Sequence, residues 1–126
     1  MLPGKIGIFA RIFITNGEGE SHPAFGEGVA NLLRGVRDSG SLNRAAKQLG
    51  MAYSKAWKLM GNMEESLGFP LIIRDGAHGS TLSTQGEMLL SAYTVVQQKT
   101  NEYALQLLSE EMSRLKGEGT VSPDLK

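Results

Sequence analysis

The chain has 126 residues, with 13 Lys+Arg against 13 Asp+Glu and no cysteine. That length suits one ordinary domain of roughly 100–150 residues and is too short for a sensor domain beside a separate effector domain. The zero net charge argues against an indiscriminate binder of the histone type, though not against a locally basic face. The missing cysteines exclude a disulfide framework, a thiolate nucleophile and a Cys-based zinc site.

The first residues, Met1 to Lys5, lack a basic stretch leading into an apolar signal region. No apolar run reaches the roughly 20 residues that span a bilayer. The expectation is a soluble, cytoplasmic chain with no membrane partner.

Ile6 to Thr15 is rich in β-branched and aromatic residues and reads as a strand. Asn16-Gly17 is a strong two-residue turn signal. A polar loop then passes Gly19 and His22-Pro23, with a short return strand expected just before Phe25. Val29, Leu32, Leu33 and Val36 recur at helical spacing, and Gly40 suits a left-handed cap. Ser41 has the chemistry of an N-cap for a short helix over 42–49. A third helix is expected over 52–67, with Ala56, Met60, Met63 and Leu67 inward, stopped by Gly68-Phe69-Pro70.

Residues 71–74 and 81–83 read as short strands of a hairpin around the turn at 75–80. Residues 84–116 contain no Pro and a single Gly, at the start, and read as one long helix. The tail 117–126 carries Gly, Ser and Pro and reads as frayed. The expected fold class is mainly α with small β elements. The expected organisation is a winged helix-turn-helix with an N-terminal strand over 1–83, a long dimerisation helix over 84–116 and the tail.

The segment 40–67 carries the chemistry. Two helices meet at a turn at Gly50, and the small residues Ala45 and Ala46 permit a close crossing. This is the pattern of a helix-turn-helix whose second helix enters the major groove. Between Arg34 and Lys58 stand six bases (Arg34, Arg37, Arg44, Lys47, Lys55 and Lys58) against the single acid Asp38, a local +5. Such a concentration is the electrostatic footprint of phosphate contact.

On the third helix Tyr53, Ser54, Trp57, Lys58 and Gly61 fall away from the apolar stripe. Tyr53, Ser54, Lys55 and Lys58 are therefore placed to meet bases or phosphates. Trp57 is read as packing on the core flank or under the hairpin, ahead of direct base contact. Arg74 and His78 on the hairpin are placed to touch the adjacent backbone or minor groove. His22 and His78 stand far apart, so no metal is expected. Glu64 and Glu65 point in different directions on a helix, and no catalytic pair or phosphate-binding fingerprint is present. No enzyme activity and no cofactor are expected.

The last helix would be roughly 50 Å long, more than a small domain covers. Its apolar residues Leu89, Ala92, Tyr93 and Val96, then Leu105, Leu108, Met112 and Leu115, are expected to pair with a second copy. The second group steps by three, four and three, as coiled-coil seams do. The alternative is that the helix folds back on its own domain after a break near Thr100-Asn101.

The stretches Gly40 to Ala46, Leu49 to Met51, Glu64 to Arg74 and Leu82 to Glu87 resemble the LysR-type helix-turn-helix. A closer resemblance is to the N-terminal domain of the molybdate-responsive (ModE-type) prokaryotic regulators, through Phe25-Gly26-Glu27-Gly28, Gly40-Ser41 and Tyr53-Ser54-Lys55-Ala56-Trp57. It covers roughly residues 5 to 100. The resemblance implies a dimeric winged helix on double-stranded DNA, with Tyr53, Ser54, Lys55 and Lys58 facing DNA and Ser41, Asn43 and Arg44 near phosphates.

Two departures stand out. Ala52 occupies the position of the usual capping Ser, a loss worth about 1 kcal/mol of helix stability. The wing turn is shorter than the glycine-rich loop of the molybdate regulators. Their molybdate-binding domains lie outside these 126 residues, so no molybdate site is carried over and no oxyanion or small-molecule effector is supported. The reading is a stand-alone dimeric transcription regulator. The alternative is a winged-helix protein-interaction module that has lost DNA binding, favoured by Ala52.

Overall fold

The computed structural model describes residues 2–18 and 24–121. The chain folds into helix α1 (Glu27–Ser39), helix α2 (Leu42–Gln48), helix α3 (Tyr53–Leu67), strand β1 (Ile72–Arg74), strand β2 (Ser80–Leu82) and helix α4 (Thr84–Val121), with a single 3₁₀ turn (Gly76–His78) between the strands. β1 and β2 pair antiparallel, with Ile72 opposite Leu82 and Arg74 opposite Ser80. The architecture is the expected one, mainly helical with a small hairpin. It divides into two compact units, 12–94 and a second made of 2–11 with 95–121.

Within 12–94 the core comes from the inward stripes of all the helices. Leu32, Leu33 and Val36 of α1, Met60 and Met63 of α3, Leu71, and Leu90 and Tyr93 of α4 are fully or almost fully buried. Gly35 and Ala45 set how closely α1 and α2 approach. A Cβ on Gly35 would lie 2.6 Å from the Ala45 Cβ. Ala45 of α2 thus serves the crossing with α1, a contact the sequence reading did not assign to it.

The helix boundaries follow local chemistry. Gly40 ends α1 in the left-handed region at φ 74°, and its N–H donates to the Val36 carbonyl at 2.7 Å. The Ser41 hydroxyl accepts from the Arg44 N–H and caps α2. Ser83, expected to end a strand, is instead the buried N-cap of α4. Its hydroxyl accepts from the Gly86 N–H at 2.8 Å and donates to the Pro70 carbonyl at 2.6 Å. α4 runs unbroken through Thr100 and Asn101, and at 1.5 Å per residue it measures about 57 Å.

The N-terminal strand is the main departure. Among the described residues of this segment only Ile14 forms a β-bridge, to Phe25, through hydrogen bonds of 2.8 and 2.7 Å. Residues 5–13 join no ladder among the described residues, and the hairpin sheet has only β1 and β2. The bridge also places ten residues between its ends, so Asn16-Gly17 does not make a two-residue hairpin. Part of that loop, including Gly19, His22 and Pro23, lies outside the described residues.

In the second unit the Ala10 N–H donates to Asn101 Oδ1 at 2.7 Å, and its carbonyl accepts from Gln97 Nε2 at 2.6 Å. Further along, the Arg114 guanidinium hydrogen-bonds the exposed Glu111 carboxylate and holds it below its usual titration range.

Candidate nucleic-acid interface

α3 is amphipathic about the stripe Ala56, Met60 and Met63, which is buried. The opposite face carries Ser54, Lys55 and Lys58, all exposed, with Tyr53 and Trp57 about half exposed. α2 presents Asn43, Arg44 and Lys47 to solvent, while Leu42, Ala45 and Ala46 go inward. The turn between them is fixed by Gly50, at φ 69°, and by the Met51 N–H on the Ala46 carbonyl at 2.9 Å.

The hairpin is tied to both ends of this unit. The Ser80 N–H donates to the Gly40 carbonyl at 2.8 Å. Gly79 stands so close that a Cβ there would lie 2.4 Å from the same oxygen, with φ at +88°. At the other end Glu64 Oε2 accepts from the Leu71 and Ile72 N–H groups at 2.7 and 3.0 Å. Its Oε1 lies 4.0 Å from the Arg74 guanidinium, which also stacks 5.4 Å from the centre of the Trp57 ring. Arg74 is thereby held against α3.

Four of the expected residues, Ser41, Asn43, Tyr53 and Arg74, line one open cleft of about 250 Å³, together with Leu42, Gly76, Gly79 and Ser80. Arg44, Ser54, Lys55 and Lys58 are exposed on the same two helices without lining it. His78 falls in the 3₁₀ turn, and its side chain lies outside the described residues. Trp57 sits beside the hairpin with 51% of its surface exposed, so it is neither buried under the wing nor clear of it.

The charge count also changes. Arg34 pairs with Glu27 at 3.2 Å and bonds Asn31 and Thr94, so it is drawn to the α1–α4 side. Arg37 pairs with Asp38 at 3.6 Å. Arg44, Lys47, Lys55 and Lys58 form no ion pair among the described residues. The basic face is thus four uncompensated cations on α2 and α3.

The expected dimerisation residues separate in the same way. Tyr93 is a correction: it is 1% exposed, its ring meets Phe25 edge-on at 5.3 Å, and its hydroxyl donates to Glu27 at 3.3 Å. The open side of Phe25 needs a cover, and the start of α4 supplies it. Leu89 is half-buried against the same core. Val96, Leu105 and Leu115 are exposed, and Leu108 and Met112 are half-exposed. Among the described residues no group of three His, Asp or Glu side chains can hold a metal ion.

Sequence reasoning missed the roles of Glu64 and Gly79, and the stacking of Arg74 on Trp57. Glu64 carried a signal, since it lies in the stretch that resembles the LysR type. The stacking carried none, because it joins residues on different elements.

Residues 30–87 match the family described as bacterial regulatory helix-turn-helix protein, lysR family. The transcriptional regulator ModE of Haemophilus influenzae is 32% identical over 84 residues, 64% of this chain and 32% of that protein. The molybdenum transport protein ModE of Azotobacter vinelandii is 29% identical over 90 residues, 68% of this chain and 33% of its own length. The chain thus spans about a third of these relatives. Among solved structures, the protein in a CbnR_DBD–DNA complex superposes with a TM-score of 0.50 at 22% identity, over 70% of this chain and 93% of that one, which bears on the fold alone. Residues 30–87 thus carry a helix-turn-helix of the LysR type, in a chain related through its N-terminal part to the ModE proteins.

Proposed function

We propose that this chain is a sequence-specific transcription regulator that binds double-stranded DNA as a dimer, with α3 in the major groove. One observation carries the reading: Arg44, Lys47, Lys55 and Lys58 are exposed, and unpaired among the described residues, on the two helices of a LysR-type helix-turn-helix. Ser41, Asn43 and Arg74 beside them supply hydrogen-bond donors for phosphates, and Lys55, Lys58, Ser54 and Tyr53 supply side chains for phosphates or base edges. The exposed face of the second half of α4, with Leu105, Leu108, Met112 and Leu115 at coiled-coil spacing, provides the dimer contact. The name of one relative, the transcriptional regulator ModE, agrees with this reading.

Binding titrations on promoter and random DNA at two salt concentrations test it. Four phosphate contacts per protomer, eight for the dimer, release enough counterions to weaken binding about 10,000-fold between 50 and 200 mM salt. Affinity that stays flat across salt, or equal on promoter and random DNA, overturns the proposal. A protein-interaction role has one feature in its favour: Ala52 leaves α3 without a side-chain cap. No retention on heparin, together with co-purification of a stoichiometric partner, selects that reading.

A further inference from the structure

We propose that residues 5–11 pair edge to edge with the same segment of a second copy, forming a β-strand that exists only in the dimer. The inference rests on the dimeric reading above and adds a second contact to it. The segment has the composition of a strand and joins no ladder among the described residues of its own chain. It nevertheless has strand geometry locally. Both backbone groups of Ala10 turn to the same side, onto Gln97 and Asn101, which lie one turn apart on α4. The Arg11 guanidinium lies 5.4 Å from the centre of the Phe9 ring, so residues two apart share a face, the period of a strand. In that geometry the N–H and C=O groups of Phe9 and Arg11 turn away from α4, and no described residue bonds them. An unpaired edge on an apolar segment is a template for another strand.

The rest of this unit favours a second copy as occupant. Among the described residues of 2–11 and 95–121 none is buried. Yet Phe9 is 66% exposed and Tyr103 60%, with Ile6, Ile8, Val96 and Leu115 near half. One extended segment and one helix cannot cover such residues, whereas two copies bring a surface toward the ~800 Å² per partner of a stable interface. The charges complement one another: residues 2–11 carry Lys5 and Arg11 with no acid, while 95–121 carry Glu102, Glu110, Glu111 and Glu118 against Lys99, Arg114 and Lys116, a net −1. A two-fold pairing covers both edges at once and closes, so no edge remains to recruit a third chain.

Amide hydrogen exchange of the whole chain, followed by NMR above and below the dimer dissociation constant measured by sedimentation, tests the pairing. The Phe9 and Arg11 amides should exchange tenfold or more slower only where the dimer is populated. The Ala10 amide, held by Asn101 in its own chain, should keep its protection on dilution. Phe9→Pro removes a partner-facing donor and should raise the dimer Kd tenfold or more. Unprotected Phe9 and Arg11 amides in a dimeric sample overturn the strand pairing while leaving the α4 contact in place. A chain that is monomeric at every concentration overturns both. The exchange measurement on the unsubstituted protein decides the matter even where the proline variant does not fold.

Discussion

Glu64 is one of two acids that look interchangeable in sequence, yet it alone closes the start of β1. Its carboxylate accepts the Leu71 and Ile72 N–H groups, and an unmet buried donor costs about 1–3 kcal/mol. Glu64→Ala should therefore destabilise the chain by about 2 kcal/mol in urea unfolding, while Glu65→Ala, at an exposed position, should leave the midpoint within about 0.5 kcal/mol. Lys58 presents the opposite case. It is exposed and unpaired, so Lys58→Ala should leave the melting temperature unchanged but weaken DNA binding several-fold. The salt slope should fall by about two, as one phosphate contact is lost from each protomer of the dimer. Equal affinity for the two proteins would refute the placement of Lys58.

The helices and hairpin are joined by close approaches that leave no room for side chains. At Gly79 two constraints coincide, a left-handed φ and a neighbouring carbonyl oxygen. Gly79→Ala should cost more than the ~1 kcal/mol of backbone strain alone, because the wing must also move off Gly40. The check is a lower unfolding midpoint with a changed environment of Trp57, read by its fluorescence. α3 offers the reverse opportunity. Ala52 has the extended backbone of an N-cap, at φ −64° and ψ 142°, but no side-chain oxygen to serve it. Ala52→Ser should stabilise α3 by about 1 kcal/mol and tighten DNA binding through one more hydroxyl at the helix start. A rise in melting temperature without tighter binding would separate the cap from the DNA contact.

Across the whole chain, neutrality is an average over opposed regions. Four unpaired cations stand on α2 and α3, while Leu59 to Asp75 carries Glu64, Glu65 and Asp75 against Arg74. Residues 101–126 are also net negative, with five acids against three bases. Such a distribution attracts a polyanion to one face and keeps the long helix from competing for it. Steering of this kind predicts an association rate that falls with ionic strength faster than the dissociation rate rises, measurable by stopped-flow mixing with labelled DNA.

The sequence by itself determined the order of elements and the main helix boundaries. Apolar residues at helical spacing, left-handed glycine caps at Gly40 and Gly68 and the Ser41 cap all act within a turn or two, so they are legible without a fold. It also marked the basic segment and the candidate interface residues on α2, α3 and the hairpin, of which all but His78 have described side chains. Only the tertiary structure decided which of these groups are available. Arg34 left the basic face because Glu27 and Thr94, the latter 60 residues away, are nearer partners than solvent. Tyr93 left the dimer face because Phe25 needed a cover. Arg74 gained its position from Trp57 and Glu64 on another element. The N-terminal segment kept the composition of a strand but not the ladder, since strand propensity requires a neighbouring edge and the hairpin sheet ends at two strands. Local interactions choose the element; long-range packing and charge pairing choose which of its faces is free to act.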